Sequence, residues 1–408
     1  MNRHFFDKFI SVNSLASILI ESFGTFMVSV ALTKFFDPAE RGEYSNFVAY
    51  MFLFGFIGTN VHNRAVYYKN LNQYRNYTEM LLSSLIVSSI VFSSAGTLVL
   101  YFVHGYSSIY LILIYFGSMG TSLFTFIAVN LSFQNDHKYL LRFSSCVFSL
   151  QFLSVLIIVL SKDLNVALLM LLISIWIPIV FVIITSIRQK ISSSYRFSMP
   201  SFEFIRNYLF PRFPSLPIYI SIFDSLKIDL ILCNVYLGHE ATGNYVLATT
   251  FSISLQFISR YIALLHFRKT STIIRSQISG VPWKLFFIFM LAGLVAGLFF
   301  ANSMSYVFQS IFTNGYQINN LDFLLIWFGN MFYWGRRLIA DLTLQLLIDK
   351  WVGLSELLGA VIFISLLIIV SPHNLFEFSR IYFISLLLPL LMMLTIVKRY
   401  SSNLRKNR

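Results

Sequence analysis

Twelve apolar stretches of roughly 20 to 28 residues, separated by short polar segments, run almost the length of the chain. At about 1.5 Å per helical residue, each is long enough to cross a hydrocarbon core of about 30 Å. A bilayer offers the backbone no water to bond, so such stretches fold as helices. Their approximate limits are 9–33, 44–68, 78–103, 108–132, 139–161, 164–187, 209–236, 244–267, 283–305, 322–347, 351–371 and 377–398. With 57% hydrophobic and only 12% charged residues, a water-soluble domain is excluded. The expectation is an all-α polytopic membrane protein. The first stretch is as long as the others and has no small-residue cleavage site, so no removable signal is expected.

The net charge of +13 would suit a nucleic-acid binder, but the distribution of basic residues points elsewhere. With the N-terminus inside, twenty-two of the 30 Lys and Arg fall in inner segments, and the outer loops hold only Lys34, Arg41, Lys162 and Arg380. That bias is the positive-inside signature and places both termini in the cytoplasm. The longest inner segment, about 188–208, is basic and Ser-rich (RQKISSSYRFSMPS) and reads as a linker. The outer loops are too short to fold as domains.

Phe36–Tyr44 reads FDPAERGEY and Leu237–Tyr245 reads LGHEATGNY. Both set Gly six positions and Tyr eight positions after an apolar residue, and the copies lie 201 residues apart, about half the chain. A repeat at that offset predicts two similar halves in tandem: an N-lobe over 1–187, the linker over 188–208 and a C-lobe over 209–408. Six spans per half return the chain to the cytoplasm, so both halves run in the same direction.

Several chemistries have no support. Cys146 and Cys233 sit in different spans without ligand spacing and read as small buried apolar residues. The seven histidines are scattered, with no HExxH pattern, and no metal or other cofactor is expected. No GxxxxGK[ST] occurs, which excludes a built-in ATPase.

Ionisable residues inside the spans carry the most information, because a charge at bilayer depth costs several kcal/mol unless it faces a cavity or a partner. They are Glu21 in the first span, Asp224, Lys227 and Asp229 in the seventh, Arg260 in the eighth, Arg336, Arg337 and Asp341 in the tenth, and Glu356 in the eleventh. In the first span Ser14, Ser17, Glu21, Thr25 and Ser29 recur at spacings of three and four and form one polar stripe. Hydroxyls alone could be buried helix to helix; Glu21 points toward a hydrated cavity.

In the seventh span Pro214 and Pro217 each remove a backbone donor and clash with the preceding turn, predicting a bend or unwinding that would serve as a hinge. Asp224 and Lys227 are three apart and can pair on one face. Asp229 lies about 150° round the helix from Asp224, so it needs a partner on another helix. Arg337 and Asp341 are four apart and can neutralise each other, leaving Arg336, like Arg260, without an intrahelical partner. Each of these two arginines must meet a carboxylate from another helix or a ligand with oxyanions. The ligand is the expectation for at least one.

LTKFFDPAERGEYSNFVAY, an apolar run followed by a short Gly-terminated turn and a second span, resembles a pattern of the multidrug/oligosaccharidyl-lipid/polysaccharide (MOP) superfamily, and KIDLILCNVYLGHEATGNY resembles its echo. More narrowly both resemble the polysaccharide transporter branch and its Wzx-type O-antigen flippases. The chain departs from the pattern at Asp37, where Gly is usual, and at His239, where Pro is usual; both changes bear on turn geometry.

The resemblance implies two pseudo-symmetric six-helix lobes around a central cavity that opens alternately to the two sides. It implies a transporter of lipopolysaccharide biosynthesis in the bacterial inner membrane, moving an undecaprenyl-diphosphate-linked oligosaccharide to the outer leaflet. A polysaccharide polymerase and a chain-length regulator would be partners; nucleic acid would not. By position, Glu21, Asp229 and Arg260 would line the cavity, with Lys227 and Arg336 added from the charge argument. Asp229 or Glu21 would couple transport to Na+ or H+. A cation-coupled multidrug exporter of the same superfamily is the alternative. A membrane-embedded polymerase or acyltransferase is disfavoured, since the outer loops are short and the histidines lie near span ends.

Overall fold

The computed structural model describes residues 3–67, 77–133, 137–188, 223, 227–271, 283–311, 315–343 and 349–406. Among them lie eleven helices: α1 (Arg3–Phe35), α2 (Pro38–Tyr67), α3 (Tyr77–His104), α4 (Ser108–Phe133), α5 (His137–Ser161), α6 (Leu164–Arg188), α7 (Ile228–Ser271), α8 (Trp283–Ile311), α9 (Asn320–Thr343), α10 (Asp349–Val370) and α11 (Leu375–Lys406). Seven of these carry windows long and apolar enough to span a bilayer. Helix α7 is broken at Gly238 (φ 80°, ψ −178°), so it comprises two rods, the end of the seventh expected span and the whole of the eighth. This is a multi-pass membrane protein.

Short polar turns end the apolar runs because the turn residues satisfy the exposed helix ends. Asp37 and Glu40 form a reciprocal capping box at the start of α2: the Glu40 N–H donates to Asp37 Oδ1 (2.8 Å) and the Asp37 N–H to Glu40 Oε2 (3.2 Å). Pro38 at the first helical position loses no bond there. Asp37, the departure from the usual Gly, is thus a cap contributing about 1 kcal/mol. In the second copy Gly238 supplies the break by its positive φ. Lys162 (φ 49°) and Ser371 (φ 46°) end α5 and α10 in the left-handed conformation, their N–H groups donating to Ile158 and Leu367 carbonyls. At the start of α11 the Glu377 N–H donates to Asn374 Oδ1 (3.0 Å), and Glu377 Oε2 accepts from the His373 N–H (2.9 Å).

The chain divides into two compact units. The first comprises Met1–Phe35, Phe47–Ile220 and Asp224–Ile228. There α1 packs along α5, α3 on α4, and α6 on α4 and α5, around a core including Leu85, Phe126, Phe143 and Ile179. Small residues bring helices close, as membrane packing requires in the absence of a hydrophobic driving force: Ser122 Oγ donates to the Gly55 carbonyl of α2 (2.6 Å). The second unit comprises Phe36–Asn46, Ser221–Phe223 and Asp229–Arg408. Helix α9 packs on α8 and α11, and α10 on α11, with Phe286, Ile339, Met393 and Val397 in the core.

The described part of the seventh span begins at a helix boundary. Lys227 has φ 50°, and among the described residues the helix begins only at Ile228. A left-handed non-Gly residue costs roughly 1–2 kcal/mol and stops a helix from running through it. The pairing of Asp224 with Lys227 falls on a residue outside the described ones. Asp224, Pro214 and Pro217 lie outside the described residues.

Candidate functional site: the motif crossing and the buried charges

The two motif copies, though 201 residues apart, meet inside the second unit. A Cβ placed on Gly42 would fall 1.8 Å from the His239 carbonyl oxygen, and one on Gly243 would fall 1.9 Å from that of Pro38. The relation is reciprocal, since position 42 corresponds to 243 and 38 to 239. The N-terminal turns of α2 and of the second rod of α7 therefore cross backbone to backbone, and only Gly leaves room. Arg41 and Tyr44 flank the crossing, the guanidinium 5.7 Å from the ring centroid.

Asp229 sits just inside α7, 5% exposed. Its Oδ2 accepts a hydrogen bond from the Tyr245 hydroxyl (2.7 Å), contributed by the second rod past Gly238. Asp229 thus has a partner off its own rod, the Tyr245 phenol. Tyr245 packs edge-on against Phe378 and Tyr382, and the Tyr382 hydroxyl donates to Asn330 Oδ1 (3.1 Å). Phe223, Phe363 and Tyr333 extend the aromatic cluster. The break at Gly238 folds the two rods so that this carboxylate is both buried and bonded.

Arg336 is 2% exposed and forms an ion pair with Glu356 of α10, NH2 to Oε1 at 2.6 Å. Its NH1 donates to Ser355 Oγ (3.2 Å), and its guanidinium lies 5.3 Å from the Tyr333 ring centroid. Arg337, 30% exposed, reaches the same Glu356 oxygen at 3.9 Å. Of the two partners open to Arg336, the structure supplies the carboxylate from another helix. The guanidinium is thus charge-compensated within its own unit. Asp341's side chain lies outside the described residues, as does that of Arg260.

On α1 the polar stripe meets polar residues of α5. Glu21 Oε1 accepts a hydrogen bond from Ser144 Oγ (2.5 Å), and Gln151 Nε2 donates to Thr25 Oγ1 (3.2 Å). Gly24 makes room for Gln151, whose Oε1 would lie 2.0 Å from a Cβ there. Ser17 and Ser29 are buried, and Glu21 is half-buried. Ser14's side chain lies outside the described ones. Hydroxyl pairing thus joins this face of α1 to its neighbour at Glu21 and Thr25. Lys227 is half-buried beside its helix break.

Sequence reasoning missed Tyr245, Ser355, Tyr333 and Asn330 as partners. Only Tyr245 had a signal: it is the repeated Tyr of the motif. Among the described residues no cluster of His, Cys, Asp or Glu could hold a metal ion.

No family model matches the sequence, and no curated protein matches it. Solved structures do. The chain is similar to the lipid II flippase MurJ in an inward closed conformation, with TM-score 0.71 and 15% identity over 98% of this chain and 90% of that one. It is similar to the eukaryotic MATE transporter AtDTX14, with TM-score 0.63 and 11% identity over 99% of each chain. It is also similar to an inward-facing multidrug resistance MATE transporter of the MOP superfamily, with TM-score 0.57 and 13% identity over 97% and 96%. At such identities the likeness is one of fold: the chain has the fold that these flippase and MATE structures share.

Proposed function

We propose that this protein is a flippase that carries an undecaprenyl-diphosphate-linked oligosaccharide, an O-antigen repeat unit, from the cytoplasmic to the periplasmic leaflet of the bacterial inner membrane. Its two halves, about 1–187 and 209–398, act as lobes that alternate access, with both termini in the cytoplasm. The observation that carries this is the fold likeness to a protein named for flipping a lipid, stronger than that to the MATE transporters. The motif resemblance points the same way.

Arg260 and Arg336 are the arginines proposed for the diphosphate, Arg336 while also paired with Glu356. Guanidinium forks match phosphate oxygens bidentately, and hydrogen bonds to charged groups contribute about 1.5–3 kcal/mol. In a host that displays the glycan, removal of the protein is expected to abolish display and leave lipid-linked precursor in the inner leaflet. Arg260→Ala, at wild-type protein level, is expected to lower display at least about tenfold. Arg260→Lys retains part of it, keeping the charge without the fork. Normal display combined with altered drug susceptibility in the deletion strain would instead establish the exporter.

Asp229 and Glu21 are the acids placed to couple transport to Na+ or H+, because burial favours a neutralised carboxylate. Asp229 has the stronger geometric support, being enclosed and joined to both rods of α7 through Tyr245. Asp229→Asn keeps that shape, and is expected to remove the dependence of transport on an imposed ion gradient. Gradient dependence surviving in both Asp229→Asn and Glu21→Gln would assign coupling elsewhere.

A further inference from the structure

Two adjacent residues of the segment 315–319 tie the two motif copies together. Gly315, at φ 80°, turns the chain. The Tyr316 hydroxyl then donates to the Phe36 carbonyl (3.1 Å), at the head of the first copy. The Gln317 backbone N–H donates to Asn244 Oδ1 (2.8 Å), in the second copy. We propose that this segment is a releasable clasp: its two bonds hold the crossing shut in one transport state and break in the other. The proposal rests on the alternating-access mechanism above.

Three features favour release over a permanent tie. The copies touch through Gly backbone, with Gly42 against His239 and Gly243 against Pro38. At those contacts no interlocked side chains must unthread when the helices part. The clasp bonds are between neutral groups, each shifting an opening equilibrium by roughly fivefold, so they bias the crossing without freezing it. Closure also encloses Arg41 at 4% exposure against the Tyr44 ring. Stripping water from a guanidinium opposes closure. Close backbone packing favours the shut state and Arg41 hydration favours the open one, and the two directional bonds bias the balance between them.

Ser45, three residues along α2 from Gly42, is 5% exposed and its conservative replacement Ser45→Cys reports opening. In a background with Cys146 and Cys233 replaced by Ala, spheroplasts are exposed to a membrane-impermeant maleimide. Tyr316→Phe, which keeps the ring and removes the donor, is expected to raise the labelling rate about fivefold. Tyr316→Phe with Asn244→Ala is expected to raise it more than about tenfold. Labelling at the parental rate in the double variant would overturn the clasp. Labelling reports opening whatever is carried, so a different substrate would leave its outcome unchanged.

Discussion

Replacing Arg336 with Ala is expected to destabilise the protein by about 3–5 kcal/mol, the cost of leaving a buried charge without its partner. The partner is Glu356, fully buried at 0% exposure, bonded to Arg336 at 2.6 Å and approached by Arg337 at 3.9 Å. Without Arg336, the half-exposed Arg337 is the nearer remaining cation, and its distance and solvent contact make it a weak substitute. Arg337→Ala is accordingly expected to cost less than about 1 kcal/mol.

The double variant Arg336→Met/Glu356→Leu removes both charges and fills the volume with apolar atoms. It is expected to lie within about 1 kcal/mol of wild type, because the desolvation of both ions disappears along with their attraction. Denaturant titration in mixed micelles measures all three variants. A double variant as unstable as Arg336→Ala would show that Arg336 acts through partners other than Glu356. A double variant that is stable yet displays no glycan would support the place of Arg336 in the substrate site.

Gly42→Ala and Gly243→Ala are each expected to disrupt the crossing, with a cost of about 1–3 kcal/mol or more from overpacking. The obstructing atoms are the His239 and Pro38 carbonyl oxygens at 1.8 and 1.9 Å, which belong to the backbone and cannot rotate aside. Two helices must therefore separate by more than 1 Å to reach ordinary contact distance. Gly105→Ala is the control: nothing lies within 4 Å of its Cβ, and only the strain of φ 61° remains, roughly 1–2 kcal/mol. Protein stability separates the cases partly; transport separates them fully, since Gly105→Ala leaves the crossing intact. Wild-type stability and transport in both Gly42→Ala and Gly243→Ala would refute the close approach.

The sequence alone determined the class of fold, the long apolar stretches and the tight turns that end several of them. These are local properties. Hydropathy adds along a stretch of about 20 residues, and caps such as Asp37–Glu40 or Asn374–Glu377 act within one helical turn. The repeat was equally legible, because a glycine needed for close approach and a tyrosine needed for packing leave a short spaced signature. Half of the charge chemistry was legible too: Asp229 was known to need a partner off its own helix face, and Arg336 to need an oxyanion.

Which partners they took was decided only by the tertiary structure. The pairs Arg336–Glu356, Glu21–Ser144, Asp229–Tyr245 and Tyr316–Phe36 join residues from 16 to 280 positions apart. Spacing along one helix predicts its own faces through the 3.6-residue repeat, but the depth and rotation of one helix against another come from packing of whole surfaces. The break at Lys227 belongs to the same class. No local rule places a lysine in the left-handed region, so its conformation is imposed by what the surrounding fold requires of the chain on either side.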